Sequence, residues 1–122
     1  MCGIVGLFLK DPKLEPDLGR MLQGMLVTMC ERGPDSAGFA VYGRESKGGI
    51  KLTLRGDADT DHEKLAGSLG KAIDEKLKAV VHDTHSVVTV PTRSENAARE
   101  ALAKIAPEVS VVGTRRRMEI YK

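Results

Sequence analysis

The chain alternates between two hydrophobic periods. Residues 3–9 (GIVGLFL) are a continuous apolar run with β-branched and aromatic members, which predicts a buried strand. Asp11-Pro12 breaks the run, and Pro16-Asp17 predicts a helix start with Asp17 as N-cap. Leu18, Met21, Leu22, Met25, Leu26 and Met29 then recur at spacings of three and four, so they form one apolar helical face that ends near Glu31. Gly33-Pro34 stops the helix, since Gly tolerates positive φ and Pro cannot continue the hydrogen-bond ladder. Residues 38–42 (GFAVY) predict a second strand, and Gly43 to Gly49 a polar connection.

The pattern changes after residue 49. Residues 50–55 (IKLTLR) alternate as a strand does. Leu65, Leu69, Ala72 and Ile73 carry helical spacing within 59–76, and 78–90 is β-rich, one or two strands ending at Pro91. Ser94 predicts an N-cap before a helix with Ala97, Ala98, Ala101, Leu102 and Ile105 on one face; Pro107 ends it and 109–112 resumes as a strand. The resulting β-α-β-α-β order predicts an α+β unit over 50–122, following a segment 1–49 of different character.

A length of 122 residues suits one domain with its own core. Lys plus Arg number 19 against 17 Asp plus Glu, a net charge of +2, which gives no reason to expect nucleic acid or an anionic membrane as partner. The local exception is Arg115-Arg116-Arg117, read as a solvated turn or strand end, with a phosphate contact as the sharper alternative. No apolar run approaches the ~20 residues of a membrane-spanning helix, and nothing around residues 4–9 reads as a secretory signal. The expectation is a cytoplasmic protein. Its two cysteines, Cys2 and Cys30, make no disulfide framework. Cys30, at the end of the helical pattern, reads as a small buried hydrophobe.

Chemistry concentrates at the start. Cys2 directly follows the initiator methionine, which aminopeptidases remove when the next residue is small. Removal leaves a thiol and a free α-amine on one residue. The thiolate is a nucleophile, and an α-amine with a reference pKa of about 7.7–8.0 suits a general base at neutral pH. Further along, Arg32-Gly33-Pro34-Asp35-Ser36-Ala37-Gly38 joins helix to strand. It reads either as a plain turn or as a loop whose arginine and backbone fix the nucleophile's surroundings. Other candidates are weaker. His82-Asp83-Thr84-His85 suggests metal ligation, but three residues apart in one strand face opposite ways. Gly3 and Gly6 do not complete a dinucleotide fingerprint. Asp57, Asp59 and Asp61 alternate like calcium ligands, but His62 and Ser68 stand where a loop needs Gly and Glu, so a solvated helix start fits better. No metal or cofactor is expected.

Taken together, Met1-Cys2-Gly3-Ile4-Val5-Gly6 and Arg32 to Gly38 resemble the start of the class II (N-terminal-nucleophile) glutamine amidotransferases. The remainder, through Met118 to Lys122, is similar to the stand-alone amidotransferase subunit of glutamate synthase-like and N-methylglutamate synthase systems. The resemblance implies an Ntn-hydrolase-like α-β-β-α fold, incomplete in this chain, with the β-α-β-α-β unit as an insertion or a continuation of the same domain. It implies Cys2 as the nucleophile with its amine as base, and Arg32 and Gly33 as residues that orient it. Glutamine would be the substrate, and a synthase subunit the partner that receives ammonia. The family's oxyanion-stabilising Asn-Gly pair and its carboxylate-binding arginine segment lie later in a longer chain. Here Asn96 is the only asparagine and no Asn-Gly occurs. A truncated chain, or a non-catalytic amidotransferase-like module that binds a synthase subunit, is the alternative.

Overall fold

A computed structural model describes residues 3–32, 38–43 and 45–121, with the backbone alone for Arg32 and Ile120. The chain divides into two compact units, Met1–Ala37 and Gly38–Lys122. The sequence pattern divides at 49/50 instead. The difference arises because the strand at 39–42, counted with the first segment, pairs with the far end of the chain.

In the first unit, residues 3–9 form no regular secondary structure and pair with no strand among the described residues. This corrects the expected buried strand. Exposure alternates along the segment: Val5, Leu7 and Leu9 are half-buried, whereas Ile4 and Phe8 are 97% and 84% exposed. An extended segment becomes a strand only when a neighbour satisfies its backbone donors and acceptors. A 3-10 turn, Pro12–Asp17, leads into helix α1, Leu18–Met29. Helix α1 starts where expected, after Asp17, but the side-chain cap lies at the start of the preceding 3-10 helix. The Asp11 carboxylate accepts from the Lys13 amide at 3.0 Å, while Asp17 makes no capping bond and pairs with Arg20 at 3.1 Å. The six apolar positions of α1 are half-buried and form one face.

The second unit runs β1 (Phe39–Tyr42), β2 (Gly49–Arg55), α2 (His62–Ala72), β3 (Ala79–His82), β4 (His85–Pro91), α3 (Glu95–Ile105), β5 (Ser110–Arg115) and β6 (Met118–Tyr121). β2 to β5 form one sheet in the order β3-β4-β2-β5, with every neighbouring pair antiparallel. The connectivity is β-α-β-β-α-β, the split β-α-β plait. Of the one or two strands expected over 78–90 the structure has two, which adds a strand to the five-element order. The break is the turn at Asp83-Thr84, where Asp83 adopts φ 51°, a left-handed conformation that Asp tolerates better than most residues. β6 was not foreseen as a separate strand. It pairs antiparallel with β1, Phe39 opposite Tyr121 and Tyr42 opposite Met118.

Alternation along β2 and β4 puts Ile50, Leu52, Leu54, Val88 and Val90 on one face of the sheet, because cross-strand partners share a side. That face meets Leu65, Ala66 and Leu69 of α2, Ala98 and Leu102 of α3, and Ala106 and Val109. Helix α2 starts on the Asp61 carboxylate, which accepts from the Lys64 amide at 2.9 Å. It ends with Asp74 at φ 54° and a Glu75 amide to Gly70 carbonyl bond of 2.9 Å, which satisfies a carbonyl left orphaned at the helix end. Ser94 caps nothing with its side chain; its hydroxyl faces Glu75 at 3.5 Å. Among the described residues, no helix is long and apolar enough to cross a membrane.

One polar pair interrupts the helix–sheet core. His62 on α2 and Ser86 on β4 are both buried, with Ser86 Oγ and His62 Nδ1 2.9 Å apart. His62 Nε2 has no hydrogen-bond partner among the described residues. A buried polar atom left without a partner costs about 1–3 kcal/mol, whereas replacing both partners by apolar groups is close to neutral. Ser86→Ala alone is therefore expected to destabilise by about 1–3 kcal/mol, and the His62→Leu, Ser86→Ala double variant to recover most of that loss. Urea denaturation of the three proteins checks this; additive losses would contradict it.

Candidate functional site

The two motif segments bracket α1. Cys2 and Gly33 lie outside the described residues, as does the stretch 34–37. Arg32 closes the 3-10 turn Cys30–Arg32 that extends α1. The described neighbours of these residues are close together. Gly3 lies against the end of the Met29 side chain, so tightly that a Cβ on residue 3 would overlap the Met29 terminal methyl. Met29 is the last residue of α1, three before Arg32. The residue after Cys2 and the residue that leads into the Arg32 turn thus meet at the C-terminal end of one helix. The absent side chain of Gly3 permits this approach, and any larger residue would push Met29 aside.

The remaining sequence candidates separate clearly. Cys30 is exposed, with its Sγ donating to the Leu26 carbonyl at 3.4 Å. This corrects the expectation of a buried thiol: the position falls on the solvent side of the helix end. His82 and His85 do not face opposite ways as residues of one strand would. The turn between them makes them cross-strand partners, and both pack on the Tyr121 ring. Among the described residues, no group of three or more His, Cys, Asp or Glu could hold a metal ion. Asp57, Asp59 and Asp61 line an open hollow of about 440 Å³ with Thr60, Lys64 and Glu108. Asp61 is committed to capping α2. In the arginine run, Arg117 pairs with Glu45 at 2.7 Å and Arg115 donates to the Thr114 carbonyl at 2.7 Å. The Arg117 hydrogen bond and charge hold the Glu45 carboxyl below its ordinary value.

A polar network that no sequence motif announced sits on the sheet face away from the helices. Lys51 Nζ and Glu119 Oε1 are 2.6 Å apart, and the Tyr121 hydroxyl donates to Glu119 Oε2 at 2.9 Å. The Tyr121 ring stacks on Phe39 with centroids 4.9 Å apart. The available signal was the polar half of β2, where Lys51, Thr53 and Arg55 alternate with the core residues; it could not say which distant carboxylate Lys51 would find. Burial works against the charge of Glu119. Hydrogen bonds from Lys51 and Tyr121, with the charges of Lys51 and His82, overcome it and hold the carboxyl below its ordinary value. Burial, then the bond to Glu119 and its negative charge, push the Tyr121 phenol up to about 12. A phenol with a raised pKa contributes stability that is fully present below its unfolded pKa of about 10. That contribution is lost as pH rises toward about 12. Since the chain has two tyrosines, Tyr42→Phe leaves Tyr121 as the single phenol. Near-ultraviolet titration of that variant, with circular dichroism recorded alongside, is expected to give a midpoint near 12. A midpoint near the reference value of about 10 in folded protein would contradict the burial of the phenol together with its Glu119 contact.

No protein-family model matches the chain, and no solved structure matches it. Among curated proteins it is 44% identical over 123 aligned residues to "Glutamine amidotransferase-like protein GlxB" of Rhizobium meliloti, a match covering 100% of this chain and 40% of that protein. It is 54% identical over 43 residues to a Methanothermobacter thermautotrophicus protein named "Putative glutamine amidotransferase", covering 35% of this chain and 14% of that protein. The chain therefore spans well under half the length of these curated relatives. Along its whole length the chain is thus similar to part of a protein named as glutamine amidotransferase-like, and the second relative carries a related name.

Proposed function

We propose that the chain carries the nucleophile-bearing part of a class II glutamine amidotransferase, with Cys2 as the attacking residue once Met1 is removed. The observation that carries this reading is the packing of Gly3 on Met29. It brings the start of the chain to the helix end from which the Arg32–Gly38 segment leaves. The reading requires the two motif segments to lie near one another, and Gly3 and Met29 are described residues that adjoin them in sequence.

In the proposed reaction, the Cys2 α-amine takes the thiol proton and the sulfur attacks the side-chain amide carbon of glutamine. The resulting tetrahedral oxyanion collapses as the amine returns the proton to the leaving nitrogen, releasing ammonia and a glutamyl thioester. Water, deprotonated by the same amine, cleaves the thioester to glutamate and restores the thiol. Arg32 and Gly33 orient the terminal residue. Ammonia passes to a synthase subunit of the glutamate synthase-like type. Donors for the oxyanion can be worth two to three orders of magnitude in kcat, and these 122 residues contain no Asn-Gly pair to supply them. The relatives are more than twice as long as the aligned stretch, so the rest of the site is assigned to the remainder of a longer protein.

That absence also favours a second reading, in which these 122 residues act as a non-catalytic amidotransferase-like module that binds a synthase subunit. A glutaminase assay separates the two. The chain alone is expected to be inactive or nearly so, a chain extended to the length of its relatives to release ammonia, and Cys2→Ser in the extended chain to abolish release. Efficient turnover by the short chain would show that the oxyanion and carboxylate partners lie within it. An active Cys2→Ser protein would remove Cys2 from the mechanism.

A further inference from the structure

Charge is segregated along the sheet of the second unit. β2 runs from Gly49 to Arg55, and its register places Pro91 of β4 and Arg115 of β5 near its start, with His85 and Ser110 at its end. Beyond the start, Arg115, Arg116 and Arg117 are all exposed where β5 turns into β6. The Ser46 and Gly43 amides donate to the Arg116 and Arg117 carbonyls at 3.1 and 2.9 Å, which brings Glu45 and Lys47 beside the same turn. Four cations there meet one carboxylate, and Glu45 is taken by Arg117. Arg116 and Lys47 form no ion pair among the described residues. Tyr42, 78% exposed, lies at this end too, opposite Met118 in the β1–β6 ladder.

At the other end of β2 the sign reverses. The hollow of about 440 Å³ is lined by Asp57, Asp59, Asp61 and Glu108 against one cation, Lys64, and Ile105, 42% exposed, forms part of its apolar wall. The seven residues of β2 hold the two ends about 20 Å apart. That exceeds the Debye length of about 8 Å at physiological ionic strength, so the ends do not neutralise each other within one molecule. The net charge of +2 therefore conceals two opposed patches. Arginine and tyrosine are the residue types that carry most of the energy of protein–protein contacts. The complement that such a surface needs, carboxylates beside an apolar wall, is present on the same chain.

We propose that this protein associates with a second copy of itself head to tail, the Arg115–Arg117 turn and Tyr42 of one copy docking in the acidic hollow of the next. Charge fixes the orientation, since like ends repel and unlike ends attract. The contact uses no residue of the glutaminase reading and stands whether or not glutamine is hydrolysed.

The test is light scattering of the full-length protein over a range of concentrations at two salt levels. At about 0.01 M salt the screening length is about 30 Å, and the mean mass is expected to rise above the monomer with concentration; at about 1 M salt, where screening acts within about 3 Å, it is expected to return to the monomer. Two variants each reverse one end: Arg115→Glu with Arg116→Glu, and Asp57→Lys with Asp59→Lys. These four side chains are exposed, and Asp61 is spared because it caps α2. Each variant alone is expected to associate at least about tenfold more weakly. An equimolar mixture of the two should regain the wild-type mass, because each supplies the end that the other lacks. If the double reversal disturbs β5, Arg116→Gln takes its place and gives a smaller loss in the same direction. Wild-type protein that stays monomeric at low salt would overturn the proposal and leave the arginine turn to an anionic partner of another kind. Association that survives both reversals, or a mixture that stays monomeric, would overturn it as well.

Discussion

The whole of residues 38–121 depends on β2 being buried on both faces. Leu52 and Leu54 are fully enclosed on the helix side, and Thr53 between them is 1% exposed on the other. A strand of period two has a single register compatible with that arrangement. A slip of one residue would turn Lys51 and Thr53 into the leucine core and swing Leu52 under β6. It would also separate Lys51 from Glu119, 68 positions away in sequence. Because β4 and β5 both take their register from β2, the placement of α2, α3 and the β1–β6 pair follows from the same alternation.

The order of packing explains where sequence reading succeeded. Helix α1 and strands β2 and β4 have strong periods, and their apolar positions fall on one face as the spacing requires; along α2 and α3, Leu65, Leu69, Ile73, Ala98, Ala101 and Leu102 pack on the core as expected, whereas Ala72, Ala97 and Ile105 are exposed. Local chemistry was less legible. Asp17 and Ser94 both look like N-caps, yet Asp17 pairs with Arg20 and Ser94 faces Glu75, because neighbouring charged side chains compete for the same oxygen atoms. The sequence left open whether 78–90 is one strand or two, because Asp83-Thr84 contains neither Gly nor Pro, and a single aspartate at positive φ leaves no mark in the hydrophobic pattern. Reading His82 and His85 as residues of one strand put them on opposite sides; across the turn they are same-side partners around Tyr121. The run 3–9 has the composition of a buried strand without a ladder among the described residues, since apolar content states a demand for partners and does not supply them.

The candidate site was proposed from sequence in a different manner. Cys2 and the Arg32–Gly38 segment carry their meaning as a pair of motifs, and composition or periodicity says nothing of either. Structure adds the proximity of their neighbours, through a glycine small enough to let the chain start touch Met29. The Lys51–Glu119–Tyr121 network was invisible from sequence, since each of its members is an ordinary residue until the long-range pairing of β1 with β6 brings them together. Homology over the full chain to an amidotransferase-like protein, and over 43 residues to a second relative, is consistent with the motif reading.

The central claim is that the nucleophile is a terminal cysteine with a free amine, and one mass measurement tests it most directly. The full-length protein is treated with a glutamine-mimicking electrophile and digested, and the N-terminal peptide is weighed. The account predicts a peptide that begins at Cys2, lacks Met1 and carries one adduct on the Cys2 sulfur, with Cys30 unmodified although it is exposed. A peptide that keeps Met1 and still reacts, or an adduct found first on Cys30, would contradict it.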